Sequence, residues 1–285
     1  MSQLATKNPH PRDKHIRFDE GPHKYTIEGV AGIDPNTDEF TSVTTLVHQH
    51  FEHFNAKNII AGMMRSKKWN DPVANFKYYG KTAEEIEKMW SKAGQEAASK
   101  GTAMHYKIEC FYNQTQPAAA PAAAAAADAT DADDTPEIQQ FMKFHQDFSA
   151  SLKPYRTEWT IFHEEARIAG SIDMVYELID PATDTTPLVI YDWKRCREIT
   201  KTHPLFRFAT HPAIEHIPDS NYWHYALQLN IYKYILQTKY GKTITDLYLI
   251  VLHPDAKNYQ RIKLPNIQAE VQELFDERIA KINNK

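Results

Sequence analysis

The sequence predicts an α/β or α+β fold in which helices cover the faces of one β-sheet. Three strand-like runs follow one another closely, at residues 155–162, 167–178 and 187–195. A long helical stretch precedes them, opened by the capping-box pair Thr82 and Glu85. Two further helical runs enclose a pair of strands near the end of the chain: residues 221–240, 246–254, 259–265 and 267–282. Strands followed by helices in this way indicate a layered sheet domain.

The elements before the core predict an N-terminal lobe. Residues 16–29, IRFDEGPHKYTIEG, alternate in polarity and turn at Gly21 and Pro22, which is typical of a β-hairpin. A helix is expected to begin behind Thr41 or Ser42. We therefore divide the chain into a mostly helical lobe, residues 1–80, packed on a core domain, residues 81–285.

The long helical stretch is expected to end before an insertion, and a break near Gly101 is possible within it. Residues 117–134 are almost entirely Ala, Pro and Asp. Such a segment buries too little apolar area to offset the entropy of ordering, so it predicts a mobile loop without a catalytic role. Another helix is expected at 135–148.

Composition narrows the class of protein. Hydrophobic residues make up 42% of the chain, and no apolar run is long enough to span a bilayer or to serve as a secretory signal. We expect an intracellular protein without membrane contact. Only Cys110 and Cys196 are present, so a four-cysteine zinc or iron–sulfur site is excluded and any metal must take oxygen and nitrogen ligands.

Two acids in apolar strands indicate the chemistry. Asp173 lies within GSIDMVYE, and Asp192 ends the run VIYD two residues before Lys194. A lone acid of this kind more often caps a loop, but a hairpin joining the two strands would bring both side chains together. Two carboxylates at such a short distance repel each other. A divalent cation such as Mg²⁺ or Mn²⁺ would offset this repulsion by binding oxygens of both carboxylates. Lys194 shares the strand face of Asp192 and would either deprotonate or orient a water, or stabilise negative charge developing on a phosphate.

These residues resemble the PD-(D/E)XK nuclease core, and more closely its RecB-like branch. That branch adds a helical histidine before the strands and Gln-x-x-x-Tyr after them, which His105, Gln228 and Tyr232 resemble. Glu158 resembles the acid that precedes the Gly-x-x-Asp strand. The segments HKYTIEG and TSVTTL also resemble mitochondrial genome maintenance exonucleases and related phage and large-DNA-virus nucleases.

The resemblance implies a mixed central sheet flanked by helices, a restriction-endonuclease-like core, without an iron–sulfur cluster. It implies a divalent metal held by His105, Asp173 and Asp192, with Lys194 assisting. His105 could instead support a ligand or be a helix histidine bonded to a carbonyl. Trp193 is expected mainly to pack, with its backbone carbonyl placed to complete the metal ligands. Glu109 lies one helical turn beyond His105 and is either a ligand of a metal-bound water or an ordinary helix charge. Gln228 and Tyr232 would position Lys194 or a phosphate, although each could instead face the core.

A basic, aromatic segment follows the last acid. We expect phosphate contacts from Arg195, Arg197, Lys201 and Arg207, with a second basic patch at Arg65, Lys67 and Lys68. Phe206, Phe208, Tyr222 and Trp223 would stack on unpaired bases, unless they pack inward.

The sequence therefore predicts a metal-dependent DNA nuclease, an exonuclease favouring single-stranded or end-bearing DNA in replication, repair or recombination. The alternatives are a structure-specific endonuclease or RNA-cleaving enzyme, and a non-catalytic nucleic-acid-binding subunit. Protein partners are unknown from the sequence.

Overall fold

The computed structural model describes residues 2–75, 77–115, 135–179 and 187–284, and these form two compact units. The larger unit contains the described residues up to 52 and those from 104 onward, and the smaller contains those of 53–103. The predicted boundary between residues 80 and 81 stays a prediction. The predicted insertion at 117–134 and most of the turn between the last two predicted strands lie outside the described residues.

The described residues contain the predicted helices and strands, with small differences at their ends. The helices are α1 Gln3–Lys7, α2 Val43–Gln49, α3 Ala56–Met64, α4 Ala83–Asn113, α5 Pro136–Phe148, α6 Asn221–Lys239 and α7 Gln268–Asn283. The strands are β1 Ile16–Asp19, β2 Lys24–Ile27, β3 Thr41–Ser42, β4 Leu152–His163, β5 Ile168–Leu178, β6 Leu188–Lys194, β7 Ile244–Val251 and β8 Gln260–Lys263. Among these helices, none combines the length and the apolar character needed to cross a membrane.

Helix starts follow the predicted side-chain caps. The Ser42 hydroxyl accepts a hydrogen bond from the Thr45 amide at 3.0 Å and begins α2. Thr82 and Glu85 exchange side-chain and backbone hydrogen bonds, so the predicted capping box is confirmed. Helix α4 continues through Gly101, where the sequence had suggested a break, because one glycine inside a long helix costs only about 1 kcal/mol.

A mixed sheet lies at the centre of the larger unit. Strand β5 pairs antiparallel with β4, parallel with β3 at its start, and antiparallel with β6 over its second half. Strands β6 and β7 run parallel, and β8 closes this edge antiparallel to β7. The predicted fold class, a mixed sheet with helices on its faces, is confirmed.

Apolar clusters cover the sheet on two sides. Residues of α2, α6 and α7 pack with Ile190 of β6, whereas residues of α4 and α5 pack with Tyr191 and Trp193 of the same strand. Side chains alternate along a strand, so Asp192 and Lys194 follow Ile190 toward the α6 layer. The site residues of β6 thus begin where a buried strand ends.

Gly170 allows α6 to lie close to β5. A Cβ atom at this position would stand 2.7 Å from Tyr232 Cε1 and 3.0 Å from Val43 Cγ2. These distances are too short for a side chain, and the two neighbours are buried and cannot easily withdraw. Glycine is therefore required for contact between this strand and the Tyr232 ring.

We expect Gly170→Ala to lower the free energy of unfolding by about 1–3 kcal/mol, because overpacking forces the buried Tyr232 ring to shift. The matched control is Gly94→Ala, since Gly94 lies inside α4 with no atom within 4 Å of an added Cβ. That substitution should stabilise the protein by about 0.5–1 kcal/mol. Urea unfolding measures both, and equal effects would contradict the close contact.

Candidate active site

Asp173 and Asp192 face each other where the pairing of two strands ends. The last antiparallel partners of β5 and β6 at this end are Met174 and Tyr191, so the next positions in register are the two acids. Beyond this point, the Trp193 amide donates a hydrogen bond to Asp173 Oδ2 at 2.9 Å. The Asp173 carboxylate thus accepts a backbone hydrogen bond just beyond the last paired residues of β5 and β6. The predicted juxtaposition of the two acids therefore follows from strand register.

Glu158 extends the row of acids onto a third strand. It lies on β4 opposite Asp173, between the partners of Ile172 and Met174. Its φ is 43°, which is uncommon for a residue other than glycine and is a form of strain found at functional sites. The Ser171 hydroxyl donates to Glu158 Oε2 at 2.8 Å and holds this carboxyl in place.

Helix α4 brings a histidine to the same place. His105 Nδ1 lies 3.4 Å from Asp173 Oδ2. One ligand atom from each of His105, Glu158 and Asp173 lies within 4.8 Å of the other two. Glu109 is half-buried on the same helix, and burial, followed by the charge of Glu20, raises its pKa. The structure thus groups one imidazole with acids from two strands.

Asp192 is paired with Lys194. Lys194 Nζ lies 2.7 Å from Asp192 Oδ2, and the two side chains are 18% and 2% exposed. On its other side, the ammonium lies 4.7 Å from the centre of the Tyr225 ring, a cation–π contact. Asp192 Oδ1 is fully buried and has no hydrogen-bond donor among the described residues. One oxygen of this acid is therefore available to a ligand.

Burial sets the protonation of the site. It raises the pKa of Asp192 to about 6, with Lys194 opposing the rise and Asp173 adding to it. Burial also raises the pKa of Asp173 and, with help from the Asp173 charge, that of Glu158 well above its usual range. For His105, burial and then the Lys194 charge lower the pKa to about 4, so the imidazole is neutral near pH 7.

Lys194 stays protonated in this surrounding. Burial alone would lower its pKa, but the facing carboxylates of Asp192 and Asp173 outweigh burial and raise it. An ammonium with a raised pKa is a poor proton acceptor and a good stabiliser of negative charge. Of the two predicted uses of Lys194, the arrangement favours charge stabilisation.

The donor set fits a hard divalent cation. Asp192 and Asp173 face the one ammonium of the site, and Glu158 lies beside Asp173, so the three carboxyl groups leave excess negative charge when they ionise. Carboxylate oxygens and a neutral imidazole are ligands that Mg²⁺ and Mn²⁺ accept. The unpaired Asp192 Oδ1 and the His105–Glu158–Asp173 group meet this requirement.

Gln228 and Tyr232 lie together on the buried side of α6. The Gln228 side-chain amide donates to the Tyr232 hydroxyl at 3.2 Å. Burial raises the pKa of Tyr232, the Gln228 hydrogen bond opposes this, and the charges of Asp192 and Asp173 add to it. Both residues therefore belong to the surroundings of the acids.

The predicted phosphate contacts differ in their accessibility. Arg195 Nε donates to Glu137 Oε1 at 2.7 Å in a buried ion pair. Arg197 is 82% exposed and is loosely paired, with its Nε 3.7 Å from an Asp255 oxygen. Arg207 is paired more closely, 2.8 Å from the Glu52 carboxylate. Arg195 is thus engaged within the protein, and Arg197 is the most accessible of the three.

The predicted stacking residues divide in the same way. Phe206 is 82% exposed and has a left-handed φ of 51°, and Phe208 is also exposed. Tyr222 is buried, with the Lys201 ammonium 4.7 Å from its ring centre. Trp223 packs against the core cluster of the α6 layer. In the smaller unit the predicted basic residues are all exposed: Arg65, Lys67 and Lys68.

Sequence reasoning missed two contributors. Tyr225 lies three residues before Gln228 on α6, and this i, i+3 spacing could have placed it on the same helix face. Ser171 lies two residues before Asp173, on the same strand face by alternation. The Arg195–Glu137 pair left no signal in the sequence, because its partners come from separate elements.

Comparison with protein families gives a match to the PD-(D/E)XK nuclease superfamily over residues 73–285. The chain belongs to the PD-(D/E)XK nuclease superfamily. Membership implies a nuclease, and nucleases of this superfamily use divalent metals. Within this PD-(D/E)XK chain, Asp173 and the Asp192-Trp193-Lys194 run occupy the neighbouring strands of the sheet.

Other comparisons add little to this PD-(D/E)XK assignment. No curated protein matches the chain. Among solved structures, one described as "Crystal structure of SSO0001" is 12% identical, with a TM-score of 0.26, and the match covers 85% of this chain and 76% of that one. A similarity this weak carries no argument about fold or function.

Stabilisation by Mg²⁺ should depend on pH. A proton on Asp192 competes with a cation, and its pKa of about 6 leaves this acid mostly protonated near pH 5 and ionised near pH 7.5. We expect Mg²⁺ at 100 times its Kd to add about 2.7 kcal/mol to the free energy of unfolding near pH 7.5 and much less near pH 5. Thermal unfolding with and without Mg²⁺ measures this.

The same shift acts on the metal-free protein. The pKa of Asp192 is about 6 in the folded state and about 3.9 in the unfolded state. Between these two pH values, the folded state therefore binds more protons than the unfolded state. This contribution to stability is lost as pH rises from about 4 to about 6.

Asp192→Asn removes the competing proton, so the pH dependence of the Mg²⁺ effect should weaken. Equal Mg²⁺ effects at both pH values in the unsubstituted protein would exclude Asp192 from the metal site.

Proposed function

We propose that this chain is a RecB-like nuclease that hydrolyses phosphodiester bonds in DNA. We further propose that it acts as an exonuclease on single-stranded or end-bearing DNA, in replication, repair or recombination. The observation that supports this best is the placement of His105 beside Asp173, 3.4 Å apart. A helical histidine at the strand acids is one of the two features that the RecB-like branch adds to the common core, the other being the Gln-x-x-x-Tyr helix.

The metal would be held by His105, Glu158 and Asp173, with Asp192 and the Trp193 carbonyl completing the set. When bound, it would polarise the phosphodiester and lower the pKa of a coordinated water. Glu109, one helical turn from His105, would accept a hydrogen bond from that water. The sequence hypothesis did not include Glu158 among the metal ligands. We add it because one of its oxygens lies within 4.8 Å of a ligand atom of His105 and of Asp173.

Lys194 would act on the phosphate. Its ammonium remains charged because Asp192 and Asp173 raise its pKa, and it is fixed between Asp192 and the Tyr225 ring. A cation held rigidly beside a scissile phosphate stabilises the charge that develops in the transition state. Gln228 and Tyr232 would support this lysine from the α6 side.

Single-stranded DNA would be bound by the segment after β6. Arg197 and Lys201 would contact phosphates, and the exposed Phe206 ring would stack on an unpaired base. Arg195 contributes indirectly, because its ion pair with Glu137 joins α5 to the end of β6. Arg207 and the patch of Arg65, Lys67 and Lys68 stay predicted contacts.

A purely nucleic-acid-binding role fits the site less well. Asp192 is buried with one oxygen lacking a donor, and such a group destabilises a protein unless a ligand uses it. A binding module without catalysis would have no use for this arrangement.

We expect Lys194→Ala and Asp192→Asn each to reduce cleavage about 100- to 1,000-fold with little loss of DNA binding, because each removes charge that acts mainly in the transition state. For both variants, the cleavage rate is measured on end-labelled single-stranded DNA with Mg²⁺. DNA binding is measured by fluorescence anisotropy with chelator present. Chelator alone should abolish cleavage of the parent chain.

The matched control for Lys194 is Lys143→Ala, since Lys143 is half-exposed on α5 and pairs only with Asp147 among described residues. It should cleave at the parent rate. Near-normal turnover by Lys194→Ala would place the chemistry elsewhere.

The single-strand proposal has its own test. The double variant Arg197→Ala, Lys201→Ala should weaken single-strand binding and reduce the slope of log K against log salt by about 0.7 per lost phosphate contact. Arg17→Ala, an exposed arginine on β1, is the control and should change neither. Equal cleavage rates on circular and linear single strands would reject the exonuclease and leave an endonuclease.

A further inference from the structure

A groove beside α6 is separate from the acids. It has a volume of about 560 Å³, and its polar lining comes from Tyr222, Lys233, Thr245, Asp246, Lys263 and Asn266. Its apolar lining comes from Leu247, Leu264 and Pro265. Ligand-binding pockets fall in this range of volume and combine apolar walls with a few polar groups.

Lys233 is the unexplained group in the groove. It is only 8% exposed, and among the described residues it has no ion-pair or hydrogen-bond partner. The acid on the facing strand, Asp246, is paired with Lys263 at 2.5 Å. The rest of its side chain is covered, but the ammonium itself is reached by solvent from the groove, and the groove lining carries two lysines against one acid.

The protonation of Lys233 reflects the same lack of a partner. Burial lowers its pKa, and the nearby Asp246 offsets this only in part. An anion entering the groove would favour the charged form and would bind more tightly for that reason. The three neutral polar groups, Tyr222, Thr245 and Asn266, are able to hydrogen-bond to the same anion.

The Lys233 end of the groove lies away from the catalytic acids, and its Tyr222 end lies near the proposed DNA contacts. On β7, Asp246 pairs with Val189, whereas Leu249 pairs with Asp192 and Val251 with Lys194, so the Lys233 end lies about 10 Å along the strand from Asp192 and about 16 Å from Lys194. Tyr222 and Lys233 share a face of α6 and are about 16 Å apart along it. The Tyr222 end adjoins Lys201, which lies over its ring.

We propose that this groove binds the phosphate group of a nucleotide, with Lys233 as the cation that receives it and the apolar wall in contact with the base or sugar. The nucleotide is either part of a bound DNA strand or a nucleoside monophosphate released by cleavage. The choice of a nucleotide rests on the proposed function, whereas the anion site rests on Lys233 and the groove. Lys233 has no part in bond cleavage.

The test uses the full chain carrying Asp192→Asn, so that binding is measured without turnover. Its probes are deoxyadenosine monophosphate and a short single-stranded oligonucleotide, each titrated against the chain with and without Lys233→Met. Loss of a charged hydrogen bond predicts a Kd at least about tenfold higher for a probe that uses the groove. Lys233→Arg should restore binding, and Lys281→Met, at an exposed lysine of α7, should leave it unchanged.

The two probes separate the two sources of phosphate. Weakening of the monophosphate supports a product site, and weakening of the oligonucleotide supports a strand site. Unchanged Kd values for both would overturn the proposal and leave Lys233 a solvated lysine only. Because no cleavage is measured, a chain without nuclease activity would not alter this result.

A second measurement does not depend on the variant folding. Acetylation of Lys233 in the unsubstituted chain is followed by mass spectrometry with chelator present, with and without each probe. We expect at least one probe to slow modification of Lys233 several-fold and to leave Lys281 unaffected. Equal modification rates of Lys233 with and without both probes would overturn the proposal.

Discussion

The crowding of three carboxyl groups on adjacent strands, one of them buried and two partly covered, is the constraint on which the rest of this structure depends. Glu158, Asp173 and Asp192 meet in one row because the register of β4, β5 and β6 aligns them. Burying an ionised carboxylate is costly unless a cation or donors compensate it. Lys194 supplies the cation, and the Trp193 amide supplies a donor. The excess negative charge that remains is the physical reason for a divalent metal.

The helices around the sheet follow from this row. Trp193 packs against Phe141 and Phe144 of α5, which fixes the backbone amide that Asp173 requires. On the other face, Gly170 lets the Tyr232 ring approach β5, so that α6 closes over the acids. The packing of α5 and α6 therefore also positions the residues of the candidate active site. A change in either helix contact would move a site residue without touching an acid.

The sequence predicted those features that depend on local spacing. Asp192 and Lys194 share a strand face at i, i+2, Gln228 and Tyr232 share a helix face at i, i+4, and both contacts are present. Features that depend on tertiary packing could not be predicted: the positive φ of Glu158, the Lys194–Tyr225 contact and the Arg195–Glu137 pair. The continuity of α4 through Gly101 is of the same kind, since neighbouring helical turns override one weak residue.

Basic residues near the site show why charge alone does not define a nucleic-acid surface. Lys194 and Arg195 are adjacent in sequence, but strand alternation directs the first to Asp192 and the second to Glu137 on the α5 side. Arg197, beyond the strand, is exposed and nearly unpaired. Three neighbouring cations thus serve the acids, the packing of α5 and the solvent-facing surface in turn. Lys233 is the reverse case: its residue is largely covered on α6 and it lines a groove without a partner among the described residues, which is why we propose it as an anion contact. The partner of a cation, rather than its sign, decides what it can bind.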